Sequence, residues 1–292
     1  MLALGAAGLY AATSVLQQSA AATVAHERSL RPSLLVALVR QPRWLLGNLA
    51  EVGAVTLQFL ALRRGALLLV QALLVSGLLL ALPVGAALHH RRLSRTDWLG
   101  ALGIVAGLAV FVTIARPAAG RGDASGLGWA LVALLGGGAV VALVLRAPAE
   151  PGAPRATYLG AGCGVLFGVT AALAKASGHL LDRGLAHALQ AWEPYALLGL
   201  GALGFLLAQS AFQAGPLAAS LPLITAADPI VAALIGVLAF HERLATGAGA
   251  VALQAFAGLA VIAGVWILAR SPLLAPEPPV PPAGAPPLPS TA

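Results

Sequence analysis

Along this chain, long apolar runs alternate with short polar breaks. Runs of spanning length, each closed by a charge or a Gly/Pro cluster, fall at roughly 2–24, 44–62, 65–88, 97–115, 126–146, 156–177, 194–214, 217–240 and 247–269. About 20 residues at 1.5 Å rise cross the hydrocarbon core of a bilayer, so the pattern predicts an all-α integral membrane protein with nine transmembrane helices. No Lys or Arg precedes the first run, and it has a counterpart later in the chain. It is therefore expected to be a retained helix and not a cleaved signal peptide. Two connections are too long for hairpins. Residues 25–43 hold Leu34 to Val39 among arginines, and residues 178–193 place Leu181, Leu185, Ala188, Leu189 and Trp192 near helical spacing. Both read as short interfacial helices. From Ser271 onward proline is too frequent for a helix or a core, which predicts a disordered, cytoplasmic tail over 271–292.

The eighth run, Leu217 to Phe240, carries Asp228-Pro229 at its middle. Proline has no N–H to give the preceding turn, and no water is at hand in a bilayer to replace it. Asp before Pro is also the form of an N-cap and first helical residue. The pair predicts a helix broken or kinked at that point. A carboxylate there costs roughly 2.5–3.5 kcal/mol on insertion scales, which makes a functional role the default reading.

The runs also repeat. Gly107-Leu-Ala-Val-Phe111 matches Gly258-Leu-Ala-Val-Ile262, and Arg92-Leu93 matches Arg243-Leu244, both offset by 151 residues. Within one residue of that offset Leu45-Leu46-Gly47 pairs with Leu197-Leu198-Gly199, Gly53 with Gly204, Gln58 with Gln209 and Gly65 with Gly215. Helix one aligns at a slightly larger shift, Tyr10 with Phe167, Thr13 with Thr170 and Gln18 with Lys175. The reading is two four-helix repeats, 1–115 and 156–270, joined by a linker helix at 126–146. Four crossings plus the linker start the second repeat on the opposite face, so the repeats are inverted, an arrangement that places binding sites at the midplane between halves.

Composition supports a membrane chain, with 59% hydrophobic and only 9% charged residues. The formal charge of +7 lies between the apolar runs, where it reads as topology and not as nucleic-acid binding. Ten Lys/Arg fall on the face of Arg28, Arg31, Arg40 and Arg43, against seven on the other. The first face is accordingly taken as cytoplasmic in a cell membrane, with the N-terminus outside and the C-terminus inside. Cys163 is the one cysteine, so no disulfide or cysteine metal site forms within one subunit. The six histidines lie in connections near charges and read as solvated.

No nucleophile elbow, phosphate loop or paired-His motif is present; neither an enzyme nor a cofactor is expected. What remains is polar groups inside predicted helices. Glu51 and Asp228 sit at comparable depth in helices two and eight. Around them fall Asn48, Thr56 and Gln58 on helix two, Gln71 and Ser76 on helix three, Gln209, Ser210 and Gln213 on helix seven, Thr225 on helix eight, and Thr13, Ser14, Gln17 and Gln18 on helix one. The expected substrate-binding or coupling set is Asp228, Glu51, Asn48, Gln58, Gln71, Gln209 and Thr225, with Pro229 as the helix break and no metal assigned. The plainer reading of the neutral groups, and of glycines such as Gly160 to Gly164, is helix packing. Lys175 is expected to snorkel.

With the repeat, His241-Glu242-Arg243-Leu244 after helix eight and the glycine-spaced last helix, the chain resembles the drug/metabolite transporter superfamily. EamA-type members carry a similar Glu-Arg-Leu run in each half; the first half here has His90-Arg91-Arg92-Leu93-Ser94 instead. The stretch from Trp44-Leu45-Leu46-Gly47 through Glu51 to Ala61 is similar to the NIPA-like branch, known for magnesium transport. The resemblance implies an alternating-access carrier of a small metabolite, drug or ion, with a homodimer as one open arrangement. A magnesium carrier and a non-transporting membrane scaffold are the alternatives. Two carboxylates are few for a divalent-cation cage.

Overall fold

The computed structural model describes residues 1–64, 73–88, 92–115, 124–241, 245, 247–268 and 270. Gln71, Glu242-Arg243-Leu244, His89 to Arg91 and the proline-rich tail lie outside the described residues. Among those described, every regular element is helical: α1 (Leu2–Ala21), a 3₁₀ turn (His26–Arg28), α2 (Pro32–Leu38), α3 (Pro42–Arg64), α4 (Gly77–Leu88), α5 (Arg95–Ala115), α6 (Gly126–Val132), a π turn (Ala133–Gly137), α7 (Gly138–Arg146), α8 (Ala153–Asp182), α9 (Leu185–Gln190), α10 (Glu193–Ala214), α11 (Leu217–Leu238) and α12 (Ala248–Leu268). Five segments are long and apolar enough to cross a membrane: Gly126–Arg146, α8, α10, α11 and α12. Their outer faces expose Leu127, Leu134, Leu145, Leu198, Leu259 and Phe256, side chains that lipid solvates and water does not. This is an all-helical membrane protein.

The helices pack through glycines. In a bilayer no hydrophobic drive separates helix from lipid, so close backbone contact has to supply the attraction. A methyl on Gly164 of α8 would lie 2.7 Å from Ala227 Cβ, and one on Gly168 would lie 2.8 Å from the Asp228 carbonyl. Gly160 meets the Ser220 carbonyl in the same way at 2.8 Å. These three glycines, one turn apart, run α8 parallel to α11. Gly77 and Gly85 of α4 meet Ala7 and Val15 and set α4 parallel to α1. The second helix of each group runs back antiparallel. Gly53 of α3 faces Leu9 of α1, and Gly204 of α10 faces Leu166 and Phe167 of α8. A third contact joins distant parts of the chain: Gly100, Gly103 and Gly107 of α5 lie against Gly264, Ala260 and Ala257 of α12 in antiparallel order.

α1 is the centre of this arrangement, with Ala6, Ala7, Ala11, Val15, Ala20 and Ala21 buried and α3, α4, α10 and α11 around it. The Gly126–Arg146 segment is peripheral and packs mainly on α8.

Four expectations are corrected. α11 is not broken at Asp228-Pro229; it is continuous over 22 residues with Pro222 and Pro229 inside. An interior proline costs a helix about 3 kcal/mol, but the α8 glycines grip α11 from Ser220 to Val231 and hold its path across both prolines. The third run is the interrupted one. Residues 73–75 are helical, Ser76 forms a turn whose N–H donates to the Leu73 carbonyl at 3.2 Å, and α4 starts at Gly77. The second connecting helix is shorter than expected, because α8 runs for 30 residues to Asp182 and carries Leu181 itself, leaving only Leu185–Gln190. Finally, α2 does more than lie at an interface. Leu34 and Leu38 are fully buried in the main core while Val36 and Val39 stay exposed. Lys175 is exposed, with its ammonium 4.7 Å from the centre of the Phe240 ring.

Candidate functional site

One face of α1 carries Tyr10, Ser14 and Gln17, and one face of α3 carries Trp44, Asn48, Glu51 and Gln58, both at helical spacing. Because α1 and α3 are antiparallel, these stripes meet. The Tyr10 hydroxyl donates to Gln58 Oε1 at 2.6 Å, Gln17 Nε2 donates to Glu51 Oε2 at 2.8 Å, and the Thr13 hydroxyl donates to the Gly47 carbonyl at 3.0 Å.

From Glu51 a chain of donors leads across to α10. Gln209, fully buried, donates through Nε2 to Gln17 Oε1 at 2.7 Å, and its Oε1 accepts from Trp44 Nε1 at 3.0 Å. Trp44 to Gln209 to Gln17 to Glu51 is thus one directed sequence of N–H donors that ends on a carboxylate. Such a chain leaves none of the amide groups joining it unpaired, which the low dielectric around it demands.

Beside this chain a cavity of about 60 Å³ opens between α1, α4 and α11. Tyr10, Ser14, Gly77, Ala81, Leu221 and Thr225 are among its walls. A water needs about 10–15 Å³ by this measure, so the space takes on the order of four waters or one small ion. Asp228 follows Thr225 by one turn of α11 and is half-buried. Pro229 supplies no N–H to the Thr225 carbonyl, so α11 lacks one helical hydrogen bond beside the cavity. Glu51 on α3 and Asp228 on α11 come from opposite halves of the chain, the first at the end of the donor chain and the second one turn beyond a residue that lines the cavity. Cys163 is fully buried in α8.

The structure therefore joins Gln58 to Tyr10 and both Glu51 and Gln209 to Gln17, and sets Thr225 in the cavity wall with Tyr10, while Asp228 lies one turn further along α11. Asn48 turns back on its own helix, donating to the Trp44 carbonyl at 2.8 Å. Thr56 is exposed and bonds the Val52 carbonyl. Among the described residues no three His, Cys, Asp or Glu side chains gather as metal ligands. Tyr10 and Trp44 are the members that helix-by-helix reading passes over. The signal was nonetheless present: in an antiparallel pair, facing positions have a constant sum of residue numbers, and Tyr10 with Gln58 and Gln17 with Glu51 share one.

An uncharacterized protein of Corynebacterium glutamicum is 32% identical over 244 residues, covering 83% of this chain and 84% of the relative. No protein-family model matches the chain, and no solved structure does.

Proposed function

This chain belongs to one family with that Corynebacterium glutamicum protein, and from the site just described we propose that it is a membrane transporter of the drug/metabolite type, moving a small metabolite, drug or cation by alternating access. The observation that carries this reading is a cavity bounded by helices of both halves, with Asp228 one turn beyond its wall on α11 and Glu51 held by Gln17, one turn beyond Ser14 on α1. A scaffold protein needs no such pairing, and two carboxylates within a bilayer are expensive unless used.

Nine spans in two inverted repeats are part of the proposal. Their support is the matched packing. Gly53 meets Leu9 as Gly204 meets Leu166, and the two pairs are related by the offsets found in the sequence. α5 and α12, the last helices of the two repeats, lie antiparallel, as an axis in the membrane plane requires. The face bearing Arg28, Arg31, Arg40 and Arg43 is cytoplasmic in this reading. As it stands the cavity is far below the roughly 300 Å³ of a drug-sized pocket, so any cargo larger than an ion requires the halves to part.

The experiment is flux in proteoliposomes across a panel of organic cations, metabolites and Mg²⁺. Asp228→Asn keeps size and removes the titratable charge. It is expected to fold normally and lose flux at least tenfold, with Glu51→Gln weakening it less. Wild-type flux in the Asn variant with unchanged pH dependence would reduce Asp228 to a packing residue.

A further inference from the structure

Every described side-chain hydrogen bond between residues 1–115 and residues 126–270 lies at one end of the bundle. Besides the Trp44, Gln209 and Gln17 chain, Gln213 Nε2 donates to the Val24 and Ala25 carbonyls at 3.1 and 2.8 Å, and the Ser210 hydroxyl accepts from the Leu30 N–H at 3.0 Å. Gln18 Nε2 reaches the Gly215 carbonyl at 3.4 Å, and Arg155 reaches Ser29 across the same surface. All of these join the C-terminal end of α1 and the following loop to the ends of α8 and α10 on the face of Arg28 and Arg31. The cavity lies one to two turns further into the bundle, at Tyr10 and Ser14.

We propose that Gln17 and Gln209 are positioning residues that form a latch, closing this face of the transporter and tying its closure to Glu51. The proposal rests on the transport reading above. Gln209 is the hinge pin of the chain: it is fully buried and spends both its amide oxygen and its amide nitrogen on partners from the other half. Opening the basic face requires breaking both bonds together. Gln17 in turn holds Glu51 with the same amide whose oxygen accepts from Gln209. A cation that takes Glu51 Oε2 competes with Gln17 Nε2 for that oxygen, turns the Gln17 amide, and so misaligns its oxygen for Gln209. Cargo at the carboxylate thereby weakens the closure of the face, which the bonds of Gln213 and Ser210 still hold.

The test is side-specific labelling of Ser14→Cys in a Cys163→Ala background by a membrane-impermeant maleimide, in vesicles of known orientation. The parent is expected to be protected from the face bearing Arg28 and Arg31. Gln209→Leu, and the shorter Gln209→Asn, should each raise labelling from that face at least tenfold. Glu51→Ala should do the same by removing the acceptor, whereas Glu51→Gln retains an oxygen for Gln17 and should leave protection intact although it weakens flux. Rapid labelling of the parent from the basic face, or unchanged protection in both Gln209 variants, overturns the latch. A latch that responds in a wild-type protein moving none of the panel overturns the transport reading alone, and flux without any latch response overturns the latch alone.

Discussion

Two groups of helices, one from each half of the molecule, are held together by different means. In the first, α1 and α3 are joined by side chains, Tyr10 to Gln58, Thr13 to Gly47 and Gln17 to Glu51. In the second, α8 meets α11 at Gly160, Gly164 and Gly168, where a methyl would strike backbone carbonyls of α11, and Gly204 of α10 lies against the Phe167 ring, with the Cys163 thiol and the Gly204 carbonyl 3.5 Å apart. Amide and hydroxyl contacts in membrane proteins are worth on average about 0.6 kcal/mol each and can exchange partners; glycine contacts leave no slack. The lesson is a division of labour in which the α8–α11 pair, which carries Asp228, is tightly packed and the α1–α3 pair, which carries Glu51, is joined by polar groups that can rearrange.

The comparison breaks most severely at Gly164. A side chain there meets Ala227 Cβ and two backbone carbonyls at 3.0 Å or less, and backbone cannot step aside. Gly164→Leu is expected to abolish folded, detergent-stable protein, seen as loss of the monodisperse peak in size-exclusion chromatography. Next in size is Tyr10→Phe. It keeps the ring and removes only the donor to Gln58, which costs about 0.5–1.5 kcal/mol of stability, and a several-fold fall in flux is expected from the loss of a hydroxyl at the cavity wall. Cys163 is fully buried, so a membrane-impermeant maleimide should leave it unlabelled for as long as the protein stays folded. Smallest is Gly258→Ala. Nothing lies within 4 Å of a methyl at that position, and alanine gains up to about 1 kcal/mol in an exposed helix interior, so thermal stability should hold or rise slightly.

Gly258 also shows how far the sequence could be read. Its match to Gly107 pointed to equivalent helices, and both helices are indeed paired with each other. Yet a methyl on Gly107 would lie 2.8 Å from the Ala257 carbonyl while Gly258 faces open space. Repetition of a motif singles out two segments; the contact each residue makes depends on helix rotation, which apolar runs do not encode. The same limit explains Asn48, whose depth suggested the site but whose side chain folds back on α3. Glu51, Gln209, Gln58 and Thr225 were legible because polar groups in apolar runs are few. Tyr10 and Trp44 were not, because an aromatic residue in such a run is ordinary until its neighbour across the interface is known. The helix break was misplaced for a related reason: Pro229 announces a missing N–H, but whether the helix yields is decided by the glycines of α8 more than 50 residues earlier.

The antiparallel grip of α5 on α12 carries a consequence for how the chain is made. Gly100 touches residues of α12 that are synthesised more than 150 positions later, and loop closure over such a distance delays the contact until translation is nearly over. Until then the glycine face of α5 lacks its α12 partner and is a surface that an insertion chaperone or a neighbouring nascent helix could occupy. A ribosome stalled before residue 248 would hold every helix of the site yet leave this seam unsewn.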